Sequence, residues 1–281
     1  MDILNWLLKF AYNLSKMKTI HLNKQVGVRF ILFPDNQPHV IIDEINPGEE
    51  VAVVCSLTDS MQVMHLLQTS NALDHLGAKK QLLVIPYLMA ARYDRLMQDG
   101  DSFDLEVIAD LINSCGFEKV LLFDVHSEVS LRLINNSISI GNRQLVEQYH
   151  QTDAIVICPD TGAAKKVNEY FKWNKNLKEI VYCSKKRELS TGRLTLEVGD
   201  PLKCENRNCV IIDDICDGGA TFLAIAGKIK PKHLTLIVTH GIFSKGFAVL
   251  EKKFDEIIVS DSYRESYDSR IVKMISATIT E

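Results

Sequence analysis

Short apolar runs at residues 51–55, 82–85, 120–123, 154–158, 180–183, 210–212, 234–238 and 257–259 recur along the whole chain. They are rich in Val, Ile and Leu without polar alternation, so each reads as a strand covered on both faces. Between them, stretches such as 61–76 and 105–115 carry apolar residues at helical spacing. Strands buried on both faces and joined through helices build parallel sheets, because a parallel crossover needs a connection of helix length. The expected class is therefore α/β. The spacing also suggests a duplication, with one βαβαβ block through Tyr149 and a second from Asp153 onward. The 281 residues suffice for two domains, expected over 17–150 and 151–281, with the loop at Gln151 and Thr152 as the natural boundary.

Composition narrows the class of partner. A net charge of −4 gives no basic surface for nucleic acid. The seven cysteines are an odd number and lack any Cys-x-x-Cys pair, which argues against a disulfide framework. Cys55, Cys158, Cys183 and Cys209 lie inside apolar runs and read as buried thiols of a reducing cytoplasm. At the N-terminus, Ile3, Leu4, Trp6, Leu7, Leu8, Phe10, Ala11 and Leu14 form a short apolar stretch with Lys9 and Lys16. It is too short and interrupted for a membrane span and lacks a small-residue cleavage site. The expectation is a packed accessory helix over 1–16, against a membrane-surface anchor or a functional start at Met17.

Polar residues suited to chemistry stand just after the apolar runs, where open parallel sheets bind ligands. In the run from Val210 to Phe222, Asp213, Asp214 and Asp217 lead into Gly218, Gly219, Ala220 and Thr221, followed by the helical pattern Phe222, Leu223, Ile225, Ala226, Ile229. A glycine-rich turn before a helix can gather backbone N–H groups on a phosphate. The carboxylates beside it suit sugar hydroxyls or a divalent cation. The plainer alternative is a tight turn with a solvated acidic rim. Pro86 and Tyr87 open a loop carrying Arg92, Tyr93, Asp94 and Arg95, which suits phosphate oxygens or a surface ion pair equally. Asp124, His126, Ser127 and Glu128 follow another run, and the histidine could ligate a metal or be structural. Pro159, Asp160 and Gly162 precede Lys165 and Lys166; Asp160 could cap the coming helix or face a metal. Lys185, Lys186 and Arg187 form a cationic strand end, and Thr239, His240, Gly241, Phe243 and Ser244 close the series.

The order of these motifs resembles the ribose-phosphate diphosphokinase (phosphoribosyl pyrophosphate synthetase) family over roughly residues 18–265. The resemblance implies two similar type I phosphoribosyltransferase-like domains, each a parallel sheet flanked by helices, in a cytoplasmic homo-oligomer serving nucleotide biosynthesis. It implies transfer of the β,γ-pyrophosphoryl group of ATP to the C1 hydroxyl of ribose 5-phosphate, with Mg²⁺ and release of AMP. It further implies a 5-phosphate held by Asp217, Gly218, Gly219, Ala220 and Thr221, and ribose hydroxyls met by Asp213 and Asp214. ATP would meet Arg92, Asp94 and Arg95, with Phe33, Asp35 and Gln37 supplied by a neighbouring subunit. His126 and Asp160 would hold Mg²⁺, and Lys185, Arg187 and His126 would act on the transferring phosphates. A catalytically silent regulatory homologue and a phosphoribosyltransferase that consumes the diphosphate are the alternatives. This chain departs from the family's Asp-Thr-Ala-Gly-Thr loop at Gly218, Gly219 and Ala220, and it has Gln37 and Tyr93 where the family has an acid and a glutamine.

Overall fold

The computed structural model describes residues 17–187 and 194–276, with the backbone alone for 185–187 and 194–195. The helix expected over 1–16 lies outside the described residues. The chain divides into two compact units, one reaching Gly141 and the other spanning Asn142–Ser276.

In the first unit the order is β1 (Lys18–His21), β2 (Val28–Leu32), β3 (Pro38–Ile42), β4 (Glu50–Val54), α1 (Ser60–His75), β5 (Lys79–Ile85), α2 (Asp104–Ser114), β6 (Lys119–Phe123), α3 (Val129–Leu133) and β7 (Ser137–Ile140). Strands β1-β4-β5-β6-β7 form one sheet in that order, and every neighbouring pair is parallel. Val51, Ala52 and Val53 are all fully buried, so successive side chains on both faces of β4 leave water. That is why the sequence shows no alternation there. Helix α1 begins where the Asp59 carboxylate accepts the Gln62 N–H at 3.0 Å, which satisfies one of the open donors of a first turn. Strands β2 and β3 pair antiparallel as a separate hairpin.

The second unit runs α4 (Arg143–Glu147), β8 (Ala154–Cys158), α5 (Ala164–Trp173), β9 (Leu177–Arg187), β10 (Leu194–Val198), β11 (Asn208–Cys216), α6 (Ala220–Ala226), β12 (His233–Gly241), β13 (Glu256–Ser260) and β14 (Val272–Ile275). Its sheet order is β10-β9-β8-β11-β12-β13-β14. Only β10 runs antiparallel, against β9; the other pairs are parallel. Alternate residues of β11 feed two cores. Cys209 and Ile211 pack with Leu236 and Ile257, while Val210 and Ile212 pack with Ile237 and Ile258.

The structure departs from the sequence reading in three ways. The division falls at Gly141 and Asn142 rather than after residue 150, because Leu145, Val146 and Tyr149 are buried in the second unit's core. The Asn174 amide fixes that segment by donating to the Val146 and Tyr149 carbonyls at 2.8 and 2.9 Å. Strand β11 does not end at Ile212 but continues through both aspartates to Cys216, since β12 extends equally far and pairs Ile215 with His240 and Cys216 with Gly241. Consequently Thr239 and His240 lie within a strand rather than after it. Helix α6 ends at Ala226, short of the expected Ile229, although Ile229 is buried.

At the end of β12, the Phe243 ring folds back over Gly241, and a Cβ there would also lie 2.8 Å from the Val259 Cγ2. Gly241→Ala is therefore expected to lower stability by about 2 kcal/mol through overpacking, read as a lower urea midpoint with an unchanged slope.

Candidate functional site

The acidic loop is built by the pairing of β11 with β12. Beyond the last paired residues, the Ile242 and Phe243 N–H groups both donate to the Cys216 carbonyl, at 2.9 and 3.1 Å. The Ser244 N–H reaches the Asp217 carbonyl at 3.2 Å, and its hydroxyl donates to the Asp217 Oδ1 at 2.6 Å. The turn after β12 thus holds the loop after β11 by backbone and side chain together. Phe243 sits in this turn at φ 46°, a left-handed conformation that a bulky residue adopts only under constraint. The constraint is visible: its ring packs edge-on to Tyr267 at 5.3 Å and against Phe247 at 4.7 Å.

Within the loop, Gly219 has φ 74° and immediately precedes α6. A Cβ there would meet Leu250 Cδ2 at 3.1 Å, so both backbone and packing favour glycine. Among the described residues, no hydrogen bond engages the N–H groups of Gly218, Gly219, Ala220 or Thr221. These donors and the Thr221 hydroxyl stand at the carboxyl end of a parallel sheet, a geometry suited to an anion.

The two aspartates face opposite sides of β11. Asp214 is buried at 5% exposure and meets the Lys166 ammonium of α5 at 3.1 Å. Its N–H donates to the Asp213 carboxylate at 2.9 Å. Burial, then the adjacent Asp214 carboxylate, hold the Asp213 carboxyl well above the usual range, and Asp160 adds to the push. Asp160 accepts the Ala163 N–H at 3.0 Å and so braces the turn before α5. The N-cap is Ala163 and no side chain caps the helix, so Asp160 is not the cap that was one of its two expected roles. Burial also pushes the neighbouring thiols up, Cys158 to about 11 and Cys216 to about 12. All seven cysteines are free and buried, in line with the sequence reading.

His240, 3% exposed, bonds the Ser262 hydroxyl through Nδ1 at 2.8 Å. Ser262 and Ser260 both donate to the Thr239 carbonyl, at 3.1 and 2.6 Å. No motif singles out these serines. The available signal is short polar residues placed directly after the apolar run 257–259. Asn142 likewise donates to the Thr239 hydroxyl at 2.8 Å from a position that sequence patterning passes over.

In the first unit, the loops after β5 and β6 meet. The Ser127 hydroxyl donates to Asp94 Oδ2 at 2.7 Å, and Arg95 pairs with Asp94 Oδ1 at 3.2 Å. Asp94 is therefore a brace between the two loops as well as an ion-pair partner. Arg92 and His126 are both exposed. Ala90 and Asp124 stand in these loops at φ 61° and 42°, so each strand end stores a left-handed residue. The hairpin turn holds Phe33, Asp35 and Gln37 in contacts within the hairpin: Gln37 N–H bonds Asp35 Oδ1 at 3.2 Å, and Phe33 faces His39.

Lys185 and Arg187 belong to the backbone of β9, where Leu196 pairs with Lys185 and Leu194 with Arg187. Their side chains lie outside the described residues. Among the described residues, no group of three His, Cys, Asp or Glu side chains is gathered for a metal ion. Among the described residues, no helix is long and apolar enough to cross a membrane.

Residues 10–116 match the model of the N-terminal domain of ribose phosphate pyrophosphokinase. The chain is 27% identical over 246 residues to the ribose-phosphate pyrophosphokinase of Saccharolobus solfataricus, covering 81% of this chain and 80% of that protein. It is 29% identical to the protein of the same name from Granulibacter bethesdensis, over 76% of this chain and 71% of the relative. The Thermococcus kodakarensis protein of that name is 25% identical, with 85% and 86% covered. The fold is similar to the crystal structure of phosphoribosylpyrophosphate synthetase from Mycobacterium smegmatis, with a TM-score of 0.75 at 19% identity, over 89% of this chain and 85% of that one. The fold is that of an α/β protein with parallel sheets flanked by helices. Over these matched stretches the chain is similar to the ribose-phosphate pyrophosphokinases.

A carboxyl whose proton affinity is raised by folding is bound to its proton more tightly in the native state. Native stability then falls as pH rises from the ordinary carboxylate range through the folded value. Asp213→Asn should raise the melting temperature at about pH 8, and the gain should shrink toward about pH 4. Melting curves of both proteins across that range check the sign.

Proposed function

We propose that this chain is a ribose-phosphate diphosphokinase, transferring the β,γ-pyrophosphoryl group of ATP to the C1 hydroxyl of ribose 5-phosphate. One observation carries this reading. Two adjacent carboxylates at the end of β11 lead into a glycine loop whose N–H groups 218–221 are unengaged among the described residues. That arrangement stands in a chain aligned over most of its length with proteins named ribose-phosphate pyrophosphokinase. The two units would then be similar phosphoribosyltransferase-like domains, the first for ATP and the second for ribose 5-phosphate.

The loop 217–221 would seat the 5-phosphate, and Asp213 and Asp214 would meet the ribose hydroxyls. The C1 oxygen attacks the β-phosphorus of ATP, the bond to the α-phosphate oxygen breaks, and AMP leaves. The hydroxyl proton passes to a nearby base. Asp213 would take that proton, since burial and its neighbour raise its affinity for one. Lys166, paired with Asp214 across to α5, fixes the direction of the second carboxylate. Arg92, Asp94 and Arg95 would bind ATP, with Phe33, Asp35 and Gln37 contributed from a second copy in a homo-oligomer.

The donor set fits Mg²⁺. Asp160, Asp213 and Asp214 lie close enough that the first and last both raise the Asp213 carboxyl, an excess of negative field that a divalent cation offsets. Mg²⁺ commonly takes only one or two carboxylates and completes its shell with phosphate oxygens and water. Asp160 and His126 would each hold an ion from their own unit. When bound, the metal supplies charge neutralisation on the transferred phosphates. The buried reduced thiols suit a cytoplasmic enzyme.

The direct assay follows AMP formed from ATP and Mg²⁺. AMP should appear only when ribose 5-phosphate is present, and silence with fully folded protein would overturn the proposal. In the same assay Lys185→Ala should lower kcat at least about 100-fold, as for a lost electrostatic donor, with a smaller change in the ribose 5-phosphate KM. A near-normal kcat would remove Lys185 from the catalytic set.

A further inference from the structure

Gly218 borders the side chain of Lys245. A Cβ built at Gly218 would lie 3.2, 3.3 and 3.5 Å from the lysine Cε, Cδ and Cγ. The methylene stem therefore runs along the bare glycine backbone, in the volume that any larger residue would need. Gly218 and Lys245 are a matched pair: the missing side chain at one position makes room for the long one at the other.

The lysine's approach is anchored. Lys245 directly follows Ser244, whose N–H and hydroxyl both bond Asp217. It precedes Gly246, whose φ of 67° turns the chain away. The stem is thereby carried across the loop at Gly218, with the ammonium one bond beyond the last contacting carbon. Among the described residues, Lys245 makes no ion pair, and the nearby Asp217 carboxylate already accepts from Ser244. A cation brought to a loop with unengaged N–H groups and not neutralised there adds a charged donor to an anion seat.

We infer that Lys245 is a binding residue for the substrate's phosphate, reaching it over Gly218. The inference rests on the proposed seating of ribose 5-phosphate at loop 217–221. It assigns that site a cation from the turn after β12, in addition to the loop's own backbone. The lysine binds a phosphate monoester as a point charge and leaves the sugar to the aspartates.

Four proteins test this: the wild type, Lys245→Ala, Gly218→Ala and the double variant. Lys245→Ala should raise the KM for ribose 5-phosphate at least about tenfold, the size expected for a charge-assisted bond to phosphate, and leave the KM for ATP within about twofold. Gly218→Ala should act in the same direction by displacing the stem. The double variant should be no worse than Lys245→Ala alone, because the clash and the contact are one interaction. Calorimetry with ribose 5-phosphate and with ribose gives a second readout, in which the lysine variant should lose affinity for the phosphorylated sugar alone. Additive effects of the two substitutions would overturn the inference. So would an unchanged ribose 5-phosphate KM, or an equal rise in both KM values. If the wild type forms no AMP, the proposed reaction fails, and the calorimetric comparison still decides the lysine's role.

Discussion

The parallel pairing of β11 with β12 is the constraint on which the candidate site depends. It keeps both strands ordered beyond their apolar segments, to Cys216 and Gly241. That carries two carboxylates into a hydrogen-bonded strand, where their backbone cannot relax away from one another. The turn after β12 then bonds the Cys216 and Asp217 carbonyls. The loop is held by that turn, and its own N–H groups 218–221 stay unengaged among the described residues. Phe243 bears a left-handed backbone at this junction, and its ring packing with Phe247 and Tyr267 offsets the strain.

Electrostatics follow from that placement. An ionised carboxylate in a half-buried strand end is destabilised, and a second one beside it raises the cost further. The fold answers differently on the two sides of β11. Asp214 turns toward α5 and pairs with Lys166, while Asp213 keeps a raised proton affinity. Adjacent residues of one chemical type thus acquire different characters from the layers they face. The first unit shows a comparable economy at Asp94, whose two oxygens join Ser127 and Arg95 and so tie together the loops after β5 and β6.

Much of the architecture was legible in the chain. Each apolar run became a strand, because fully buried parallel strands need side chains that are apolar on both faces. The stretches 61–76 and 105–115 became α1 and α2, each starting one residue early. The hairpin β2–β3 and the strands β7 and β14 escaped notice, since short strands at edges or apart from the sheet carry mixed polar residues. The boundary near residue 150 was placed by spacing, whereas burial of Tyr149 and Leu145 assigns that segment to the second unit. For the site, the motifs located the loops but not their internal bonds. Ser260, Ser262 and Asn142 became visible only as partners of Thr239 and His240.

By itself, the sequence determined the α/β class, the strand-end position of the polar motifs and the family they resemble. These depend on local patterning, on which residues alternate, which turn and which stay apolar. Tertiary structure decided how far the strands run past their apolar cores, which face each aspartate takes, and which lysine lies along which glycine. Those depend on register and packing between segments distant in sequence. Gly218 and Lys245 are each unremarkable alone, and become a pair only because β11 and β12 are neighbours.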